Sequence, residues 1–310
     1  FAVEPSVAQR LETRIQESSD FLSKINVHPV RDQAGDKIGL GISGPVAGTT
    51  DTNAQDRQTR DLSSLDERGY FATQTNFDTH IRYQKLDLWA KFKDFQVRLR
   101  NHILHAQALD RVRILWNGTS YAANSNRNAN PLLQDVNIGV LQAYRNDAPT
   151  RVMDEGVPGS GVIRVHAGGD YENLDALVVD AVNNMIDPWY QDDAGLVVIM
   201  GRNLLADKYF PLINKEQPSS EVLATQVIIS QKRVGNLPAA AVPYFPDNTL
   251  LITTWDNLSI YYQSGGRRRH IVDNPKMDRI ENYESSNDAY VVEDYGRGCL
   301  IENINTVAPI

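Results

Sequence analysis

The segment from residue 30 to about residue 75 constrains the fold most, because it contains no helical period. Its stretch GDKIGLGISGPVAGTTDT is rich in glycine, threonine and aspartate, and Ile38, Leu40 and Ile42 alternate with small residues. That alternation predicts an extended strand with one apolar face. A compact domain rarely holds so long an irregular insertion unless it is functional. The pattern therefore predicts a projecting β-hairpin whose apolar face is covered by something beyond itself.

A long helix is predicted directly after this segment. The run KLDLWAKFKDFQVRLRNHILHAQALDRVRILWNG, from Lys85 to Gly118, meets no proline or glycine before its C-terminal Asn-Gly stop. About thirty helical residues would span roughly 45 Å. The basic excess of this helix fits either a surface that faces a polyanion or an ordinary solvated face. A further helix is predicted from about Leu132 to Arg145, after the loop SNRNANP.

The opening of the chain also has a helical period. Pro5 suits a first helical turn, and Val7, Leu11 and Ile15 recur every four residues. An amphipathic helix near a terminus must bury its apolar stripe. The sequence leaves two covers open, the body of the same chain or another subunit.

The second half of the chain alternates between the two kinds of element. NLDALVVDAVNNMI and NLLADKYFPLI have helical patterns, LVVIM (Leu196 to Met200) is typical of a buried strand, and the C-terminal tail is rich in β-branched and aromatic residues. This order predicts a mixed α/β layer domain. The five residues of LVVIM are the longest apolar run, far short of the ~18 needed for a membrane span.

Length and charge narrow the classes of protein. A chain of 310 residues corresponds to about two domains at ~150 residues each. Its net charge of −8 argues against a surface that grips nucleic acid everywhere. Cys299 is the only cysteine, which excludes an intrachain disulfide and predicts a buried small side chain.

Sequence motifs that would indicate catalysis, cofactor binding or metal binding are weak. GLGISG (Gly39 to Gly44) matches the dinucleotide-binding pattern, but polar residues precede it and Pro45 follows, so the required strand and helix are missing. His102 and His105 lack an acidic third metal ligand. The sequence therefore predicts no catalytic residue, no cofactor and no metal site. An α/β nucleotide-binding enzyme stays as the alternative.

The densest positive charge lies in GGRRRH, Gly265 to His270. Arg267, Arg268 and Arg269 could neutralise DNA phosphates, pair with carboxylates of a neighbouring subunit, or form a plain solvated turn. The sequence leaves these three interpretations open.

Long blocks of the chain resemble a known family. VEPSVAQRLETRIQESSDFLSKIN, YQKLDLWAKFKDFQVRLRN, NPLLQDVNIGVLQAYRNDAPTRVM, IISQKRVGNLPAAAVPYFP and NPKMDRIENYESSNDAYVVEDY closely resemble the major capsid proteins of P2-like temperate tailed bacteriophages. The resemblance covers essentially the whole chain.

That resemblance implies an α+β chain with the Hong Kong 97 capsid fold and a long spine helix from Leu86 to Trp116. The expected parts are an N-terminal arm (1–26), an extended β-hairpin loop (27–80), a peripheral domain with the spine helix (81–150 and 256–296) and an α/β axial domain (151–255 and 297–310).

The resemblance also implies a function without enzymatic activity. Copies of the chain would form pentamers and hexamers of an icosahedral head around double-stranded DNA, which they contact without sequence specificity. The implied partners are an internal scaffolding protein with protease activity, a portal protein, and a decoration protein or a satellite scaffold that redirects shell size. Assembly would take place in the bacterial host cytoplasm, and no membrane would be involved.

Two further expectations depend on the resemblance. Phe1 would be the N-terminus left when a protease removes a leading segment during maturation. Contacts between subunits would come from the opening helix through Val7, Leu11 and Ile15, and from the hairpin through Ile38, Leu40 and Ile42.

Overall fold

The computed structural model describes residues 5–37, 41–42, 47–52, 54, 56–57, 59, 63–64, 69–89, 94–213 and 232–307. The α-helices in these ranges are α1 (Pro5–Glu17), α2 (Tyr83–Trp89), α3 (Phe95–Asn117), α4 (Val140–Asp147), α5 (Leu174–Met185) and α6 (Arg202–Ile213). The strands are β1 (Asn26–Val30), β2 (Ala34–Gly35), β3 (Gly41–Ile42), β4 (Ser63–Ser64), β5 (Tyr70–Phe71), β6 (Thr73–Asn76), β7 (Thr79–Arg82), β8 (Val152–Met153), β9 (Ile163–Arg164), β10 (Leu196–Met200), β11 (Arg233–Val234), β12 (Leu237–Ala241), β13 (Leu250–Thr254), β14 (Leu258–Gln263), β15 (Arg268–Asn274), β16 (Arg279–Val292), β17 (Cys299–Ile301) and β18 (Ile304–Asn305).

The first large sheet is organised around β16, which is 14 residues long. Strand β14 pairs with residues 288–292 of β16, and β15 pairs with residues 279–285. Strands β6 and β7 also pair with β16, and β1 runs parallel to β14. Because residues 279–282 pair with both β15 and β7, these two strands lie on opposite sides of β16.

The second large sheet has the order β11-β12-β10-β13-β17-β8. Its central strand, β10, is buried along its whole length, as expected for the run LVVIM. Helices α5 and α6 contribute Leu177, Val178 and Leu204 to the apolar cluster that contains this strand. The helix–strand–helix order predicted for this part of the chain is therefore present.

The structure describes the predicted long helix only in part, because residues 90–93 lie outside the described residues. Its described portion is divided into α2 and α3, and Asp94 forms a turn immediately before α3. The predicted stop is correct, because the backbone N–H of Gly118 donates to the carbonyl of Ile114 at 2.8 Å. A Cβ atom at Gly118 would lie 2.2 Å from the carbonyl oxygen of Asn137, so this close approach requires glycine.

The helix predicted from Leu132 begins only at Val140, where α4 starts. Leu133 has a left-handed φ of 61°. The side chain of Asp135 accepts a hydrogen bond from the backbone of Asn126 at 2.7 Å, and Asn137 donates to the carbonyl of Asp288 at 2.9 Å. These side-chain bonds to the backbone stabilise turns in place of helix.

A narrow two-stranded excursion leaves the first sheet after β1. Strand β2 pairs antiparallel with β5, and β3 pairs antiparallel with β4, so the chain runs out and returns beside itself. Flanking strands β1, β6 and β7 belong to the first sheet. These paired segments lie between Ala34 and Phe71, inside the range 27–80 that the resemblance implies for the extended loop. Residues 47–52, which follow GLGISG, contain no helix.

Candidate assembly surfaces

The opening helix packs against its own chain. Ile15 is only 1% exposed and belongs to the same apolar cluster as Leu104 and Ala108 of α3. Leu11 is partly buried against that cluster, whereas Val7 is 43% exposed. This corrects the expectation for Ile15, whose side chain packs within its own subunit. The expected contacts of Leu11 and Val7 with a second copy stay predictions, because Leu11 is only partly buried and Val7 is exposed.

A buried charge cluster fixes this helix in place. Glu12 of α1 accepts hydrogen bonds from Nη1 of Arg111 and, at 3.2 Å, from Nη2 of the same guanidinium. Its Oε1 atom also accepts a hydrogen bond from Nη1 of Arg267. All three side chains are at most 3% exposed. One carboxylate thus joins α1 to the spine helix α3 and to the segment just before β15.

Strand β16 supplies the remaining carboxylates of this buried charge cluster. Glu284, Ser286 and Asp288 alternate along one face of the strand, and all three are buried. Oε1 of Glu284 accepts a hydrogen bond from Nε of Arg267 at 3.0 Å. Both oxygens of Asp288 accept from Arg111, at 3.1 and 3.2 Å. Gln107, one turn before Arg111 on α3, bonds both Arg267 and Glu284.

The cluster holds three carboxylates and two guanidiniums, so it has one excess negative charge. Burial acts to raise the pKa of Glu12, but Arg111 and Arg267 outweigh it and hold that pKa below its usual value. Burial raises the pKa of Asp288, with the charge of Glu12 adding to the rise and Arg111 opposing it. Of Glu12 and Asp288, Asp288 is therefore the carboxylate that takes up a proton more readily.

The three adjacent arginines have different environments. Arg267 is 2% exposed and fully engaged with Glu12, Glu284 and Gln107 of its own chain. It is therefore not a DNA contact or an inter-subunit contact, which corrects the sequence-based expectation. Arg268 and Arg269 are exposed on β15, and Arg269 donates from Nε to Oδ1 of Asn282 at 2.8 Å.

The sequence holds a signal for this cluster that single motifs miss. Gln107 and Arg111 are four residues apart on a helix, and Glu284, Ser286 and Asp288 are two apart on a strand. Each set places polar groups on a face that otherwise would be apolar. Opposite polar stripes on two core elements indicate a buried ion-pair network.

The hairpin residues proposed for assembly are only partly within the described structure. Ile38 and Leu40 lie outside the described residues. Ile42 lies in β3, opposite Ser63 of β4. Phe71, in the returning strand β5, is 59% exposed. Further exposed apolar side chains on the peripheral part of the chain are Leu88, Val97, Ile271 and Met277.

The remaining residues considered for catalysis or metal binding are His102, His105 and Cys299. A ring nitrogen of His105, Nδ1, lies 3.0 Å from the carbonyl oxygen of Ser18, and His102 is exposed. Within the described ranges no group of acidic, cysteine or histidine side chains could hold a metal ion. Cys299 is buried, which confirms the prediction, and burial raises the pKa of its thiol to about 12. None of the described helices is both long and apolar enough to cross a membrane.

Comparison with known proteins gives a consistent match along the chain. The family model for the phage major capsid protein of the P2 family matches residues 1–304. The capsid proteins of Escherichia phage P2 are 58% identical over 310 residues, which cover 98% of this chain and 87% of the relative. The major capsid protein of Serratia phage KSP20 is 43% identical over 314 residues, covering all of this chain and 90% of that protein.

The fold matches a solved capsid structure equally well. A chain in the satellite phage P4 procapsid, which includes the size determination (Sid) protein, superposes with a TM-score of 0.92 and 55% identity over 99% of this chain and 94% of that chain. The α+β architecture described above is accordingly the Hong Kong 97 type of capsid fold. These matches also exclude the alternative of a nucleotide-binding enzyme. The chain belongs to the P2 family of phage major capsid proteins, the structural subunits of the virion capsid.

Proposed function

We propose that the chain forms pentamers and hexamers of an icosahedral head, and that the hairpin from Ala34 to Phe71 is laid over a neighbouring subunit. The observation that carries this proposal is the strand pairing. In the described structure, β2, β3, β4 and β5 pair only with each other and join neither six-stranded sheet. At its base, Tyr70 of β5 packs against Tyr261 of the first sheet, but a two-stranded hairpin is at best marginally stable in water, which supports a second covering surface for its outer pair, β3 and β4.

The side chains of the hairpin provide the driving force. Phe71 is 59% exposed, and the sequence places Ile38, Leu40 and Ile42 on one face of the outgoing strand. Burying one such side chain contributes about 1.5–3 kcal/mol before the entropy of ordering is subtracted. Each contact is modest, but a closed ring of subunits makes many of them intramolecular.

The opening helix has a narrower role than the sequence suggested. Because Glu12 and Ile15 fix α1 to the body of its own subunit, only Val7 and the partly buried Leu11 are proposed to reach a second copy. We propose that a protease removes a leading segment from a precursor as the shell matures.

The partners follow from the family and from one solved relative. The satellite phage P4 procapsid includes the Sid size determination protein, and by similarity we propose that this chain accepts a satellite scaffold of that kind. An internal scaffolding protein with protease activity, a portal protein and a decoration protein are proposed on family similarity alone. Assembly is proposed to occur in the host cytoplasm.

Contact with packaged DNA is proposed to be weak and without sequence specificity. The net charge of −8 opposes tight binding of a polyanion. Arg268 and Arg269 are exposed and adjacent on β15, so they remain candidates for DNA or for a carboxylate of a neighbouring subunit.

Assembly in cells tests the proposal directly. The chain is coexpressed with the scaffolding protein of its phage, and particles are examined by negative-stain electron microscopy. Closed shells of uniform size are expected. Recovery of monomers and irregular aggregates only, with a scaffold that is folded and expressed, would contradict the proposed assembly.

A further inference from the structure

A groove on the peripheral part of the subunit has an apolar floor. It lies between the first half of α3, strand β7 and strands β15 and β16, and its volume is about 760 Å³, within the ~300–1,000 Å³ typical of binding sites. The apolar side chains that line it are Ile81, Phe95, Leu99, Ile103, Ile271 and Ile280. Ile271 is 56% exposed, so the floor is open to the solvent.

The burial of α3, the helix beside this groove, changes about halfway along its length. The buried residues of α3 begin at Leu104 and continue to Trp116. In contrast, Phe95, Leu99 and Ile103 are only half-buried, and the residues between them are exposed. Their spacing of four residues places them on one stripe, about 12 Å long at ~1.5 Å per residue. Two turns of the spine helix thus present an apolar stripe that the subunit itself leaves partly uncovered.

The rim of the groove is positively charged in a chain of net charge −8. Lys85, Arg98 and Arg269 line it together with His80 and His102, and no carboxylate is among the described lining residues. Asp94 lies 3.7 Å from Arg98, but both side chains are more than 70% exposed, so this pair contributes little.

The nearest carboxylate on the same face of β15 is not among the residues that line the groove. Asp273 lies two residues after Ile271 and accepts a hydrogen bond from the hydroxyl of Tyr83. The cations at the rim therefore have few neutralising partners within the described part of the subunit, and a ligand with negative flanks would complement them.

We infer that this groove binds an acidic amphipathic helix of a different protein, aligned along α3. A helix in a groove contributes apolar anchors every three or four residues, which matches the stripe formed by Phe95, Leu99 and Ile103. Its acidic flanks would face Lys85 and Arg98 on one side and Arg269 on the other. The inference does not depend on the hairpin contact proposed above.

Two other occupants fit less well. Duplex DNA offers phosphates for the rim, but it has no apolar surface to cover the six hydrophobic side chains of the floor. A second copy of this chain would bring its hairpin segment 36–44. That segment has one aspartate and one lysine, so its formal charge is zero and it would leave the rim cations unpaired.

Peptide binding to the purified full-length chain tests the inference. The probe is a fluorescein-labelled synthetic helix of about four turns with leucines on one face and glutamates on both flanks. Fluorescence anisotropy is compared with three other probes: the same peptide with lysines in place of the glutamates, a short DNA duplex, and a peptide with the sequence of residues 36–44. The acidic peptide is expected to bind most tightly and to weaken as salt is added.

A matched pair of double variants separates the groove from general electrostatics. Arg98→Glu with Arg269→Glu changes the rim, whereas Arg100→Glu with Arg268→Glu makes the same change of net charge at exposed positions that do not line the groove. The first pair should weaken binding of the acidic peptide by roughly tenfold or more, and the second should change it by less than about threefold. Thermal unfolding checks that both variants are folded.

Several results would overturn the inference. Equal losses in the two double variants would show that the peptide responds to net charge alone. Tighter binding of the duplex would assign the groove to DNA, and tighter binding of the 36–44 peptide would assign it to a second copy. Absence of binding of the acidic peptide to the folded, unaltered chain would also overturn it.

Discussion

The carboxylate of Glu12 pairs with the guanidinium of Arg267, which lies 255 residues further along the chain, and both side chains are almost completely buried. This contact joins the opening helix to the first sheet and makes the helix part of the subunit core. It also assigns Arg267 a structural role that its two exposed neighbours do not share.

Replacement of Arg267 should destabilise the subunit. Arg267→Gln leaves Glu12, Glu284 and Asp288 with one guanidinium among three buried carboxylates. Breaking a buried pair from one side typically costs about 3–5 kcal/mol, and a loss of that size is expected in the free energy of unfolding. Denaturant unfolding followed by circular dichroism measures it.

Arg268→Gln is the matched control for this variant, because Arg268 is exposed on β15. It should change the free energy of unfolding by no more than about 0.5 kcal/mol. Equal effects of the two substitutions would contradict the buried role of Arg267.

The pH dependence of stability should change when Glu12 is neutralised. The pKa of Asp288 is raised above its ordinary value of 3.8, so the folded state holds a proton that the unfolded state has released. The stability that Asp288 contributes therefore declines as the pH rises from about 3.8 through the raised pKa. The pKa of Glu12 is lowered from 4.5, so the stability it contributes is lost as the pH falls below that value.

In Glu12→Gln, both effects weaken, because the charge of Glu12 also raises the pKa of Asp288. Arg111, Arg267 and Glu284 complete the set of charged groups around them. We expect a flatter curve of unfolding free energy against pH in the variant, both above and below pH 4.5. Denaturant unfolding at a series of pH values measures both curves, and parallel curves would argue against the cluster described here.

Gly118→Ala should also destabilise the subunit. A Cβ atom there would meet the carbonyl oxygens of Asn137 at 2.2 Å and Ile114 at 2.7 Å, so the backbone must shift, at a cost of about 1–3 kcal/mol. Gly48→Ala serves as the control, since no atom lies within 4 Å of the added group. Thermal unfolding of both variants provides the comparison, and an unchanged midpoint for Gly118→Ala would contradict the close approach.

The thiol of Cys299 should be unreactive in the folded chain. Burial raises its pKa to about 12, so almost no thiolate exists at neutral pH, and the side chain is inaccessible. A chromogenic disulfide reagent should react slowly with native protein and rapidly after addition of denaturant. Rapid reaction of the native protein would show that β17 is not buried as described.

Much of the fold could be predicted from local patterns. The end of the spine helix at Asn117 was predictable because a glycine follows it in the sequence. Strand β10 was predictable because it is an uninterrupted apolar run. The predicted start of α4 was wrong. The side chains of Asp135 and Asn137 stabilise turns by hydrogen bonds to the backbone of Asn126 and Asp288, which the hydrophobic period does not reveal.

The assembly surface was harder to predict, because tertiary contacts determine which side chains of a segment are buried and which stay exposed. Three adjacent arginines look alike in a sequence, and only the approach of Glu12 and Glu284 places Arg267 in the core. Likewise, the stripe of α1 could cover its own body or a neighbour with the same residues. The structure places Ile15 beside α3 of the same chain, a contact that depends on tertiary packing.

The central claim is that the hairpin stabilises the shell by covering an adjacent subunit. The sharpest test is Ile38→Asp with Leu40→Asp, coexpressed with the scaffolding protein, against the control Ser43→Asp, a position that the alternating pattern predicts on the opposite face. Sedimentation of cell extracts separates shells from free subunits. The double variant should remain as folded, unassembled subunits while the control forms shells. Shells of normal yield from the double variant would show that the hairpin does not hold neighbouring subunits together.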